Sequence, residues 1–338
     1  MQEKITEKTH ILDEHGHVIR PGWSNRDVFI YDRKNIAKSS LRVKEWDYWE
    51  VFNDQARVIL NIYDIGYMGV AECSILDFNT KESYRVQSTR LFTRGSIGNP
   101  SSWQYDEPLV FKKKKNTMIF DRNGDNIILL VDFQKEGVKG KFSLYKDPKM
   151  DMMVNLIPFE DPRQFVYVVK IMCMPAQGEI TTKNKKYVFN ELNNSWGILD
   201  WTRAVFPYKN QWKWSVSSGK INDITFGFNL DYGFGTESSK SMIFYDGVGH
   251  HLDEVYHQFD KKDLKKPLKI TSPDDRVNLI LKPKCVDKHS INYGILYMKG
   301  IRTSGYFTGE VILDDGIIVE IKEKDKVFGF AEEFFQKW

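Results

Sequence analysis

Thr225-Phe226-Gly227-Phe228-Asn229-Leu230 alternates large apolar residues with small or polar ones at a period of two. In an extended chain Phe226, Phe228 and Leu230 share one face, and Thr225, Gly227 and Asn229 share the other. The same rhythm recurs around turn dipeptides. Asn123-Gly124 separates residues 117–120 from 127–133, Asp246-Gly247 separates 242–245 from 252–259, and Asp315-Gly316 separates 310–313 from 317–321. Asn, Asp and Gly tolerate the positive φ that tight hairpins need. Many short strands with frequent turns predict a sandwich or barrel and argue against alternating βαβ units.

Composition agrees. The chain has 338 residues, 41% of them hydrophobic and 28% charged, which suffices for a sizeable core. Aromatic residues make up 14%, a content that suits strands and apolar cavities. The net charge of +3 is too small to imply a nucleic-acid partner. Cys73, Cys173 and Cys285 are far apart and odd in number, which argues against a disulfide framework or a zinc knuckle. Mean hydropathy is −0.47, and no run reaches the roughly 18 apolar residues of a membrane helix. The first eight residues show no apolar core of a secretory signal, and the unpaired cysteine pattern makes a reducing cytoplasm the expected location.

Helical signals are few and short, at residues 35–41 and 328–338. A weak internal echo points to two related halves: Val154-Asn155-Leu156-Ile157 returns as Val277-Asn278-Leu279-Ile280. The Gly- and Lys-containing stretch 175–186 offers the best boundary, giving expected domains 1–184 and 185–338. Each is long enough for a closed barrel of about eight strands.

Several longer motifs fall in a recognisable order. Gly22-Trp23-Ser24 is followed by Lys44-Glu45-Trp46-Asp47-Tyr48 and by Tyr63-Asp64-Ile65-Gly66-Tyr67-Met68-Gly69. Asp200-Trp201-Thr202-Arg203, Trp212-Lys213-Trp214 and Gly227-Phe228-Asn229-Leu230 occupy the middle. Gly305-Tyr306-Phe307-Thr308-Gly309-Glu310-Val311, Asp315-Gly316, Ala331-Glu332 and Trp338 close the chain. Together these resemble a bacterial family known as domain of unknown function 2804. That family is similar to the tandem lipocalin-like proteins, among them carotenoid 1,2-hydratases, tocopherol cyclases and some fungal Diels–Alder enzymes. The resemblance implies an all-β chain of two lipocalin-like (calycin-type) antiparallel barrels, with a ligand site in or between them. It implies no particular reaction, and Trp212-Lys213-Trp214 stands where such a hydratase could present an acid or a histidine.

The richest constellation lies within residues 194–229. As an extended segment, Trp201 and Arg203 share a face, and Asp200 and Thr202 share the other. A guanidinium over an indole gains about 0.5–2 kcal/mol and could orient a carboxylate or carbonyl. The alternative is a structural Arg–Asp pair closing a barrel end. Trp212 and Trp214 also share a face and could wall an apolar ligand or simply fill a core. Asp200 could act as a general acid if burial raised its pKa. Tyr67, Tyr208 and Asn229 complete the residues expected to bind ligand. Asp64 and Glu72, near Tyr63 and Tyr67, could be paired carboxylates or ordinary hairpin residues.

His250, His251, Glu254 and His257 form a cluster in which, on a helix, residues 250, 254 and 257 would share one face and could hold a divalent metal. The Asp246-Gly247 turn argues for a strand, on which His251 and His257 stand near 20 Å apart. No metal is therefore expected. Lys112–Lys115 and the lysines at 261, 262, 265 and 266 read as solvated turns or a phosphate patch. There is no GxSxG, no GxxxxGK[ST], and Gly233-Phe234-Gly235 lacks the context of a dinucleotide loop. No cofactor is expected. The sequence thus predicts a protein that binds a hydrophobic or amphipathic small molecule, such as an isoprenoid or lipid. A cofactor-free hydratase, cyclase or isomerase working by acid catalysis is the alternative, and a ligand-free scaffold with filled barrels is the third reading.

Overall fold

A computed structural model describes residues 2–233, 241–294 and 296–338. Met1, and Phe234 and Gly235 of the Gly233-Phe234-Gly235 run, lie outside the described residues. All three turn dipeptides do what their chemistry requires. Asn123-Gly124 joins strands Asn116–Asp121 and Asn126–Phe133, Asp246-Gly247 joins Ser241–Tyr245 and Val248–Leu252, and Asp315-Gly316 joins Leu296–Ile312 and Ile318–Ile321. Asp246 and Gly247 both take positive φ, 50° and 79°.

The fold is all-β, two lipocalin-like antiparallel barrels in tandem. The first sheet has 13 strands. Its main path runs Ser83–Leu91, Met68–Asp77, Ala56–Asp64, Val43–Phe52, Trp196–Val205, Phe165–Thr181, Val138–Tyr145, Asn126–Phe133, Asn116–Asp121, Leu109–Lys113. The second, of 10 strands, runs Val248–Leu252, Ser241–Tyr245, Ile224–Tyr232, Lys209–Ile221, Phe328–Lys337, Leu296–Ile312, Val277–Tyr293, Leu268–Thr271, Tyr256–Gln258. Both follow one plan. A four-stranded meander leads, and the last strand returns to pair with the first.

The duplication therefore lies in strand order and not in the echoed tetrapeptide. Val154–Ile157 pairs with Val166–Val169, the part of its neighbour that also pairs with the returning strand. Val277–Ile280 pairs with Thr308–Val311, beyond the reach of the returning strand.

Both sheets curl. In the second, the outermost strands are consecutive in the chain, with only residues 253–255 between them, so the two edges must lie close. Its interior is filled by Phe226, Phe228, Leu230, Leu279, Phe307 and their neighbours. In the first, side chains bridge the edges. Arg90 donates to the Lys112 carbonyl at 2.6 Å, and Lys113 donates to the Thr89 carbonyl.

Two helix expectations fail. The segment 35–41 carries only the end of a 3-10 turn, Arg33–Asn35. The C-terminal segment is the strand Phe328–Lys337, paired on both sides. Its first half, 328–332, is covered on both faces and needs no alternation there, and that hid its period.

The long strand Phe165–Thr181 belongs to two halves of the first sheet. Its register shifts between Ile171 and Met174, and Cys173 there takes φ +57°. The Cys173 amide donates to Ser218 Oγ of the second sheet at 3.1 Å, so this bulge docks one barrel on the other. Strand Trp196–Val205 still belongs to the first sheet, and Lys209–Ile221 opens the second. We propose that the two units divide at residues 206–208, not at the 184/185 boundary expected from composition.

Candidate functional site at the seam between the barrels

Pairing register places one cross-strand row on each outer sheet face. In the first sheet it reads Gln87, Glu72, Asn61, Tyr48, Asp200, Lys170. In the second it reads Asp231, Trp214, Glu332, Arg302, Asp287. The rows meet in the seam. Arg302 donates to Glu50 at 2.8 Å and to Tyr48 Oη at 3.0 Å from one nitrogen. Its other nitrogens lie 2.7 and 2.6 Å from a Glu332 oxygen. Tyr48 donates to Glu50, and the Trp212 indole donates to the other Glu332 oxygen at 2.9 Å.

Two carboxylates thus share one buried guanidinium. Burial pushes the Tyr48 phenol well above its ordinary pKa, and Glu50 adds to this while Arg302 opposes it. Burial works against the Arg302 charge, but Glu332, Tyr48 and Glu50 outweigh it and hold the pKa well above normal. Trp214 is enclosed by charge and rings. Lys170 Nζ lies 3.6 Å over its ring, Tyr48 and Phe330 meet it edge-on, and its indole donates to Asn229 at 2.6 Å. Asp200 accepts from Thr202 at 2.9 Å and lies 3.4 Å from Lys170. Trp46, Tyr48, Asn61, Tyr63 and Trp212 remain partly exposed along the seam. Trp46 stacks on Phe206, and Trp212 on Phe334.

Trp201 and Arg203 share a face as expected, but it is the inner face of the first barrel. Arg203 is fully buried. It donates to the Pro100, Trp46 and Thr202 carbonyls and to Asp47 at 2.9 Å, while its guanidinium stacks 3.9 Å over Trp201. Trp201 and Arg203 are therefore not brought together with Asp200, Trp212, Trp214 and Asn229, which lie at the seam. Tyr67 sits at one end of the first barrel under the Lys44 ammonium, 4.7 Å from the ring centroid. Tyr208 is exposed on the link between the sheets.

Asp64 and Glu72 stand on opposite faces of the first sheet. Asp64 accepts from the Gly66 and Gly95 amides, while Glu72 pairs with Arg85 at 2.5 Å. The histidine cluster is split over two strands, with His251 stacked on Trp23 and His257 on Phe259. Among the described residues no three His, Cys, Asp or Glu side chains gather as a metal site. No helix among them is long and apolar enough to cross a membrane. Two open recesses, about 300 and 230 Å³, share Gln55 and Asn193 in their linings and include none of the seam residues described above, although the smaller is lined from both barrels, by Asp54 of the first and Phe328 of the second.

Sequence reading missed Tyr48, Glu50, Lys170, Arg302 and Glu332. A faint signal existed: Glu50 lies within Trp49-Glu50-Val51-Phe52 and Glu332 between Phe330 and Phe334, aromatic surroundings in which a buried charge must find a partner. The partner's identity depends on a contact across 252 residues, beyond any local pattern.

A family model described as a domain of unknown function, DUF2804, matches residues 2–338. The chain belongs to this family. No curated protein matches the sequence of this DUF2804 chain. Among solved structures it is similar to CghA, at 11% identity and TM-score 0.57, with 87% of this chain and 88% of that chain covered. An AttH-assigned protein of Nitrosomonas europaea also aligns, at 11% identity and TM-score 0.48, over 90% and 95% of the two chains. Kievitone hydratase from Nectria haematococca aligns at 11% identity and TM-score 0.41, over 87% and 88%. The likeness to CghA extends across both barrels and is one of fold.

Proposed function

We propose that this DUF2804 protein binds an apolar or amphipathic small molecule, isoprenoid or lipid-like, in the seam between its barrels. One observation carries the reading: partly exposed Trp46, Tyr48 and Trp212 surround a buried Glu50–Arg302–Glu332 cluster. Ring faces supply apolar walls, and the shared carboxylates accept hydrogen bonds from a hydroxyl-bearing end. Native mass spectrometry of protein purified from its own host tests this. A retained small molecule is expected, lost or strongly reduced in Trp212→Ala. Ligand-free mass in the native protein, together with no Trp fluorescence response to long-chain isoprenoid alcohols, would sink the reading.

The second reading is a cofactor-free hydratase, cyclase or isomerase at the same seam. The arrangement that favours it is Tyr48, whose hydroxyl donates to Glu50 and accepts from Arg302, so Glu50 is its route for exchanging a proton and the Arg302 charge would stabilise the phenolate left behind. Carboxylates and ring faces would stabilise cationic character developing on a substrate. A positioned acid contributes about 10²–10⁴ in rate, so Tyr48→Phe should lose about that much turnover while still retaining ligand. Asp200, also facing the seam, is the other candidate acid. Unchanged turnover in Asp200→Asn would remove it.

A further inference from the structure

The lysine run Lys112–Lys115 has no part in the seam. It ends strand Leu109–Lys113 and turns into strand Asn116–Asp121, and all four side chains are exposed. The end of strand Ser83–Leu91 lies beside it. Arg90 donates to the Lys112 carbonyl at 2.6 Å, and Lys113 donates to the Thr89 carbonyl. These two contacts run antiparallel, which carries Leu91 and Phe92 on toward Val110. Leu109 and Phe111 are buried, while Val110 and Lys112 point outward.

Three large apolar side chains gather there in water. Leu91 is 68% exposed, Phe92 70% and Val110 45%. Phe92 takes φ +53°, a left-handed backbone that is costly for a bulky residue. Its amide donates to the Tyr67 carbonyl at 2.7 Å, and the Arg94 amide donates to the Gly66 carbonyl at 2.8 Å, which fix the turn. The turn thus holds a large ring out in solvent, where it adds nothing to the core. An exposed apolar cluster with a polar rim marks an interaction surface.

The rim has one sign. Arg90, Arg94 and Lys112–Lys115 supply six positive charges, and among the described residues none of these side chains pairs with a carboxylate. The adjoining hairpin is neutral: Asp132 stands across from Lys139, and Lys135 and Glu136 share its turn. Asp106 and Glu107 precede the far end of strand Leu109–Lys113. Six cations therefore face at most two free carboxylates. A polyanionic partner fits this charge, and the apolar centre chooses between polyanions. Leu91 and Val110 have no flat face on which a base could stack, whereas a bilayer takes up aliphatic and aromatic side chains alike.

We propose that this side of the first barrel docks on the surface of an anionic phospholipid bilayer, with Leu91, Phe92 and Val110 entering the headgroup layer and the lysine hairpin lying on acidic headgroups. Nothing in this inference depends on the seam.

The test is co-sedimentation of the full-length protein with phosphatidylcholine vesicles containing about one-third phosphatidylserine, against vesicles of phosphatidylcholine alone. Binding to the acidic vesicles is expected, weakening as salt is raised, with little on the neutral ones. The triple variant Lys112→Gln, Lys114→Gln, Lys115→Gln should weaken binding about 100-fold, about fivefold per lysine. Phe92→Asn keeps every charge and suits the left-handed backbone, and should weaken it about tenfold. The matched triple Lys261→Gln, Lys262→Gln, Lys265→Gln, on exposed lysines of the second barrel, should bind within about twofold of the wild type. No preference for acidic vesicles, equal loss in the two lysine triples, unchanged binding in Phe92→Asn, or displacement from the vesicles by stoichiometric oligouridylate would each overturn the inference.

Discussion

His257 shows what burial does to one side chain. It is buried on the Tyr256–Gln258 strand, stacked on Phe259, and neither ring nitrogen has a hydrogen-bond partner. Desolvation, helped by the Lys213 ammonium, lowers its pKa to about 3. The unfolded chain takes up a proton near pH 6.5 that the folded chain refuses. Its contribution to stability is therefore complete above pH 6.5 and is lost as pH falls toward 3. At about 1.4 kcal/mol per pH unit, the wild type should lose about 2–3 kcal/mol more than His257→Leu between pH 7 and 4.5 in urea unfolding. Equal losses would show that His257 is not held neutral. At this scale the sequence was a fair guide to which side chains share a face and a poor one to where the face points. Asp200–Arg203 alternates as read, yet its strand is buried on both sides, so composition could not tell barrel interior from seam. Arg203 reads as a free anchor in sequence, and its partners Asp47 and Pro100 come from more than 100 residues away.

Strand pairing sets limits that single residues do not reveal. Gly305 and Gly329 stand opposite each other where strands Leu296–Ile312 and Phe328–Lys337 meet. A Cβ on Gly305 would lie 2.0 Å from the Lys282 carbonyl oxygen, and one on Gly329 would lie 2.0 Å from that of Val216. Those oxygens belong to backbone and cannot turn aside. Gly305→Ala should therefore cost about 1–3 kcal/mol, the usual range for overpacking, read as a lower urea midpoint with unchanged slope. An unaltered midpoint would mean that the strands can separate there freely. Hairpins were the legible elements, because Asn-Gly and Asp-Gly carry their own backbone preference. The C-terminal strand was not, because burial on both faces of its first half erases the period-two signal there.

Across the whole molecule, the two barrels share buried groups as well as surface. Arg302 of the second is held by Glu50 of the first, Arg57 of the first lies 2.6 Å from Asp287 of the second, and Tyr306 donates to Asp54 at 2.7 Å. Separating them would strand these charges without partners, which costs about 3–5 kcal/mol for a buried pair. Unfolding should accordingly be one transition, with far-UV circular dichroism and Trp fluorescence coincident in urea. Two resolved steps would mean that the barrels stand independently. The tandem plan was readable from turn spacing and family resemblance. On the division proposed at 206–208, the lysine-rich stretch is no linker but a tight turn, in which the Thr182 amide donates to the Lys185 carbonyl before the chain re-enters the same sheet.

The first barrel's wall is stitched along one side by Arg90 and Lys113, with no ladder of amides there. Such a seam has a hem that can part without unravelling the cloth. Deuterium should enter Thr89–Leu91 and Val110–Lys112 well before the amides around Trp49, and high salt, by loosening those cationic stitches, should hasten it.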